Sequence, residues 1–186
     1  LSQLNLPHDI STLCKRDMLQ LADDIRDLLM DIKDECGGHL ASNLGVVELT
    51  LALHAVFESP KDKFLFDVSH QTYVHKILTD RLDRIFTIKK HGGLSGFAKI
   101  SESEHDAFGA GHASTAMSAG LGLAHARDQL KDDYSVISIV GDGSLSGGMC
   151  YEALNNMAHM KGNYICVLND NDMSISPPVG SMARYM

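Results

Sequence analysis

Two apolar runs separated by a Gly-Asp-Gly turn limit the fold of this chain more than any other feature. Val136-Ile137-Ser138-Ile139-Val140 is a β-branched run and reads as a buried strand. Tyr164-Ile165-Cys166-Val167-Leu168 is a second apolar strand. Gly141-Asp142-Gly143 makes a turn after the first, and Met149 to Met160 reads as a helix. Strand, turn, helix and strand form a βαβ unit, which closes right-handed and sets its strands parallel. The expected fold class is α/β, a largely parallel sheet flanked by helices.

The rest of the chain agrees with that class. From Arg16 to Lys33, apolar residues fall at Met18, Leu21, Ile25, Leu28, Leu29 and Ile32, the spacing of an amphipathic helix. Gly37-Gly38-His39 should end it, because glycine favours the position just past a helix C-terminus. Gly45 to Phe57 reads as a helix buried on most sides, and Phe64-Leu65-Phe66 as a short strand. Thr72 to Arg84 is expected to be one helix, His91 to Phe108 a loop, and Ser114 to Arg127 a tightly packed helix. Leu1 to Asp9 looks like an extended lead-in.

At 186 residues the chain fits one domain. A net charge of −8 without any basic stripe argues against nucleic acid or an anionic membrane surface as a partner. Phosphate, if bound, must be met locally by backbone amides or a metal. The four cysteines include no CxxC pair, which fits a reducing, cytoplasmic setting rather than a disulfide framework. No apolar stretch reaches membrane-spanning length, and the first residues lack a signal-peptide layout.

Both polar clusters of the βαβ unit follow strands, and ligands in open α/β sheets bind beyond the carboxyl ends of strands. The Asp142 carboxylate and the Asn171 carboxamide would be brought side by side there. With a carbonyl from the loop after Asn171 they make a hard oxygen site suited to Mg²⁺. Gly141 and Gly143 let the backbone approach a diphosphate. Taken singly, Gly141-Asp142-Gly143 is a turn and Asn169-Asp170-Asn171 a loop; together, each after a buried strand, they resemble the metal-diphosphate motif of thiamine-diphosphate enzymes.

Flanking segments narrow the resemblance to the 1-deoxy-D-xylulose-5-phosphate synthases. Asp67-Val68-Ser69-His70-Gln71 with His75-Lys76-Ile77-Leu78-Thr79 is similar to that family, as are Gly93 to Phe97 and Ser101 to Glu104. So are Gly109 to Thr115, Tyr151 to Asn155 and Asn169 to Ile175. The resemblance runs in order from about residue 15 to the end. It implies a thiamine-diphosphate-binding fold, with thiamine diphosphate and Mg²⁺ as cofactors. Asp142, Asn171 and the Met173 carbonyl would hold the metal, and Gly143, Ser144 and Asn171 would contact the cofactor. His70 with Gly111, His112 and Ala113 would line it, and His39 would lie near the reacting carbon, so His39 and His70 are the catalytic candidates. Ser69, Val74 and Ala113 replace the family's usual Gly, Pro and Ser; the last removes a hydroxyl from the cofactor's surroundings.

The implied reaction joins pyruvate to D-glyceraldehyde 3-phosphate with loss of CO₂, in a homodimer whose interface the helices at Gly45–Phe57 and Ser114–Arg127 could supply. The glutamate that activates the cofactor lies beyond the matched region in the family. That gap and the abrupt ending at Met186 lead to the expectation of a piece of a longer polypeptide. Another transketolase-like thiamine enzyme or a non-catalytic cofactor-binding module are the alternatives. Ten histidines invite a zinc reading, but no HxH or HxxxH spacing occurs. His54 is expected to be core packing, and His125 and His159 surface or core filler.

Overall fold

The structure, a computed structural model, describes residues 1, 4–160 and 162–170. Three parallel strands, β1 (Lys63–Phe66), β2 (Val136–Gly141) and β3 (Tyr164–Asn169), form one sheet in the order β1-β2-β3. The expected βαβ unit is present: β2 pairs with β3 from Val136↔Tyr164 to Gly141↔Asn169. Lys63↔Val136 through Phe66↔Ile139 set the register of β1 against β2.

Alternation along the strands divides the core between two faces. Phe64, Phe66, Ile137 and Ile139 pack with Leu53 of helix α3 (Val47–Val56). On the opposite face, Leu65 and Val136 meet Ala116 and Ala124 of α5 (Ala116–Leu130), while Val140 meets Met117 and Leu121 of α5 with Cys150 and Ala153 of α6 (Gly148–Met157). Ser138 points toward α5 without a penalty because its hydroxyl donates to the Ala116 carbonyl at 3.0 Å. The apolar sides of α3 and α5, read above as a possible subunit interface, are thus buried largely in this chain's own core.

Helix α1 (Lys15–Cys36) buries Leu21, Ala22, Ile25, Leu29 and Ile32 in a separate layer with α3 and α4 (Tyr73–Leu78). Each of the buried leucines and isoleucines contributes about 1.5–3 kcal/mol before entropy is counted. Gly37 ends α1 at φ +68, its amide donating to the Lys33 carbonyl at 2.9 Å. A one-turn helix, α2 (Leu40–Leu44), then leads into α3.

Three expectations need adjustment. The lead-in is not wholly extended: a 3₁₀ turn at His8–Thr12 buries Ile10. Helix α6 stops at Met157 rather than Met160. The segment from Thr72 to Arg84 is not one helix, since α4 ends at Leu78 and a 3₁₀ turn follows at Leu82–Thr87. Tertiary pairing breaks it. Asp80 takes φ +55, which turns Arg81 inward so that its guanidinium grips Asp106 at 2.8 and 2.9 Å. Thr79 seals the end of α4 by donating to the His75 carbonyl at 2.6 Å.

Behind α4 lies a buried polar chain. His75 Nε2 faces two acceptors, the His105 carbonyl at 3.2 Å and Asp106 Oδ1 at 3.4 Å, so that nitrogen must carry the proton. His75 Nδ1 is therefore an acceptor and takes the proton of His54 Nε2 at 3.0 Å. His54 Nδ1 is left as a buried lone pair with no hydrogen-bond partner among the described residues. Lys76 pairs with Glu102 beside it. Burial raises the Asp106 carboxyl, but hydrogen bonds from His75 and Arg81 outweigh this and hold it well below the usual carboxylate range.

Candidate active site

The carboxyl ends of β1 and β2 open on the same edge, and three loops meet there. The first follows β1. Asp67, 1% exposed, continues the ladder by donating its amide to the Ile139 carbonyl at 2.8 Å. Its carboxylate accepts from the amides of Ser114 at 2.8 Å and Ala116 at 2.9 Å, so it holds the start of α5 against the strand end. Val68 and Ser69 then run through φ +57 and +68. A β-branched residue there is an outlier that only surrounding contacts can impose. Those contacts are present: Gly111 donates its amide to the Val68 carbonyl at 2.9 Å, and the Ser69 hydroxyl accepts from the Ala98 amide at 3.2 Å. The positive φ explains why glycine suits position 69, and the hydroxyl contact explains how serine is tolerated.

That turn delivers His70. Its ring lies 5.2 Å from the ring of His39, edge to face at 79°, and Phe97 lies 6.0 Å from His39 on another side. His39 sits exposed at the N-cap of α2. Burial and the neighbouring His39 push the His70 imidazole below its usual pKa, partly opposed by Asp67, so His70 is neutral at neutral pH. His70 Nδ1 is buried and has no hydrogen-bond partner among the described residues. A neutral imidazole with an unpartnered nitrogen has the chemistry to hold or move a proton.

The second loop carries Gly111, His112 and Ala113. His112 and Ala113 are exposed at its crest, and Ser114 anchors its far side with φ +69. The Ser114 hydroxyl donates to the Ser144 carbonyl at 2.7 Å, which joins this loop to the third, the 3₁₀ turn Asp142–Ser146 after β2. Gly147 is required at this junction, because any Cβ there would collide with Ser114 Oγ. Asp142 is half-buried at the start of the turn and Gly143 has open space where a side chain would stand. Ser144, expected to contact the cofactor, is buried.

The sequence-predicted residues are therefore linked into one rim: His39 beside His70, the His70 turn bonded to Gly111, and Ser114 bonded to Ser144. The Gly141↔Asn169 register brings the end of β3 level with the residue before Asp142. Asn171 and Met173, expected as metal ligands with Asp142, lie outside the described residues. Among the described residues no group of three or more His, Cys, Asp or Glu could hold a metal ion. His54 is core, stacked on His75 at 5.2 Å, while His125 and His159 are exposed.

Sequence reasoning missed Asp67, Ser114 and Asn43, the last of which donates its carboxamide to the His39 and His70 carbonyls, as organisers of this rim. Asp67 had a signal, a carboxylate directly after an apolar strand; the other two had none, because their partners are distant in sequence.

Comparison with known proteins agrees with this architecture. The protein-family profile described as 1-deoxy-D-xylulose-5-phosphate synthase matches residues 1–186. The 1-deoxy-D-xylulose-5-phosphate synthase of Dehalococcoides mccartyi is 55% identical over all 186 residues, which cover 29% of that protein. The Syntrophomonas wolfei protein of the same name is 54% identical over the same span, again 29% of its length. Among solved structures, a transketolase from Leishmania mexicana superposes with a TM-score of 0.78 at 20% identity, over 90% of this chain and 30% of that one, and speaks for the fold alone. The chain thus spans about 29% of the length of the curated relatives it matches. Sequence match over every residue and a transketolase-like fold lead to one conclusion: the chain belongs to the 1-deoxy-D-xylulose-5-phosphate synthase family.

Proposed function

We propose that this chain binds the diphosphate of thiamine diphosphate and its Mg²⁺, as part of a longer polypeptide that condenses pyruvate with D-glyceraldehyde 3-phosphate, releasing CO₂. The product would be 1-deoxy-D-xylulose 5-phosphate. The observation that carries this reading is the rim at the strand ends of a member of this family, where His39 meets His70 edge to face, Gly111 bonds Val68 and Ser114 bonds Ser144 of the Asp142 turn.

The donor set fits the group. Asp142 offers a carboxylate to a hard cation, and Asn171 with the Met173 carbonyl would complete its protein ligands. Open space at Gly143 and at Gly111 allows a diphosphate and a planar ring to approach the backbone closely. The orphaned His70 Nδ1 supports a hydrogen bond to the cofactor or substrate. His112 and Ala113 would line the same path, Ala113 through its backbone.

Thiamine diphosphate, when bound, supplies the electron sink for pyruvate decarboxylation. The chain's own part is to bind, orient and manage protons. His70, held neutral by burial, can accept a proton from a hydroxyl or donate to a carbonyl oxygen without first losing charge. His39, exposed next to it, can hydrogen-bond the same reacting oxygen. The half-exposed Leu154, Ile165 and Leu168 on α6 and β3 support burial against further protein, in keeping with a homodimer of the longer polypeptide. No described helix is long and apolar enough to cross a membrane, and a cytoplasmic enzyme is the setting that its four free cysteines favour.

The test is calorimetric titration of Mg²⁺ and thiamine diphosphate into the full-length polypeptide, wild type and Asp142→Ala, followed by the two-substrate assay. Tight binding that Asp142→Ala weakens at least about tenfold, together with CO₂ release, is expected. Equal binding by both proteins would refute the metal assignment. Tight, Asp142-dependent binding without turnover would favour a binding-only module instead.

A further inference from the structure

Asn43 is fully buried inside α2, and its carboxamide touches the backbone of three different places. The Nδ2 group donates to the His39 carbonyl at 2.6 Å and to the His70 carbonyl at 3.0 Å. Oδ1 accepts from the Tyr73 amide, which opens α4, at 2.8 Å. The orientation of the amide is not ambiguous. Two carbonyls demand the NH₂ end and an N–H demands the oxygen, so the flipped amide would oppose like groups at all three contacts.

Every N–H of this side chain is therefore committed to one task. It joins His39, 4 residues back, to His70, 27 residues on. Neither histidine is fixed by regular structure. His39 is a non-helical cap at φ −92 and ψ 77, and His70 follows two residues of positive φ. A buried amide with both donors satisfied is rigid, and it grips each histidine at its own carbonyl, one atom from the Cα that carries the ring.

We propose that Asn43 is the positioning residue that sets the separation of His39 and His70, so that both imidazoles meet the same reacting group. The proposal rests on the site reading above, in which those two histidines face the substrate. Asn43 never touches substrate; it acts through the two backbone carbonyls. The depressed pKa of His70 is consistent with this arrangement, because the clamp holds it buried against a second imidazole.

The test uses the full-length enzyme with thiamine diphosphate and Mg²⁺. Asn43→Asp keeps the acceptor for Tyr73 but removes both donors and sets a carboxylate oxygen against two carbonyls. A fall in kcat of roughly 100-fold is expected, with cofactor affinity changed less than about threefold. The acidic limb of the kcat–pH profile should also move to higher pH, because a buried carboxylate nearby raises the His70 pKa. Leu51→Ala, which opens the same helical layer without touching either histidine, should lower the melting temperature and leave kcat and its pH profile alone. If Asn43→Asp does not fold, Asn43→Ser, whose hydroxyl can serve one partner at a time, enters the same comparison.

Full turnover by His39→Ala and His70→Ala would overturn the site reading and the proposal together. Loss in those two variants with kcat retained in Asn43→Asp would overturn the positioning proposal alone. An equal loss in Leu51→Ala would do the same, since general loosening would then suffice.

Discussion

His54 gives a quantitative forecast of acid sensitivity. Its ring is 4% exposed, and burial, then the neighbouring His75 and His105, press its pKa from 6.5 down to about 2. The unfolded chain therefore takes up a proton that the folded chain refuses. With the folded value depressed, the stability is present above the unfolded pKa near 6.5 and is lost as pH falls through that value. At about 1.36 kcal/mol per pKa unit, the drop from about pH 7 to about pH 5 costs roughly 2 kcal/mol from this residue. His54→Gln isolates the effect, since the glutamine amide can still donate to His75 Nδ1 but takes up no proton. Urea unfolding of both proteins at the two pH values gives the difference directly. Wild type should lose roughly 2 kcal/mol more than His54→Gln on acidification. Equal losses would mean that the histidine is solvated or protonated in the folded state, and the buried hydrogen-bond chain would be wrong.

Two further outcomes follow from the rim. Ser69→Ala should destabilise the protein by about 1–3 kcal/mol because the Ala98 amide loses its acceptor, while Ser69→Gly should cost less because it relieves the positive φ; thermal melts rank the pair. Gly147→Ala should separate the Ser114 and Ser144 loops and weaken thiamine-diphosphate binding at least about tenfold in the full-length protein, which calorimetry would detect.

The elements that local pattern governs were legible in the sequence. Strands β2 and β3 announced themselves by apolar runs, α1 by its three-four spacing, and the stop at Gly37 by residue type. The break after Leu78 was hidden, because its cause is a guanidinium reaching Asp106, 25 residues away. The site divided in the same way. His39, His70 and the Asp142 turn could be picked out as polar residues among glycines beyond strand ends. Asn43 reads as one more polar residue in a helix, since nothing in a linear pattern reveals that its partners arrive from β1 and α4. Ser114 was read as a helix residue for the same reason, and proves to be the tie between two loops.

Asp67 constrains where an anionic ligand can settle. By accepting from the Ser114 and Ala116 amides, it neutralises from within the one helix start that faces the strand-end rim from α5. A phosphate approaching that corner meets an internal carboxylate already seated among the donors, and like charge turns it away. Among the described residues no side chain caps the turn after β2, and the charge of Asp142 at its start is one that a divalent cation would offset. The two strand-end corners therefore differ: one is closed by the chain's own carboxylate, and the other, on the function proposed above, would accept an anion once a metal offset Asp142. If the proposed function holds, cofactor loading should be ordered by the metal, with diphosphate following rather than leading.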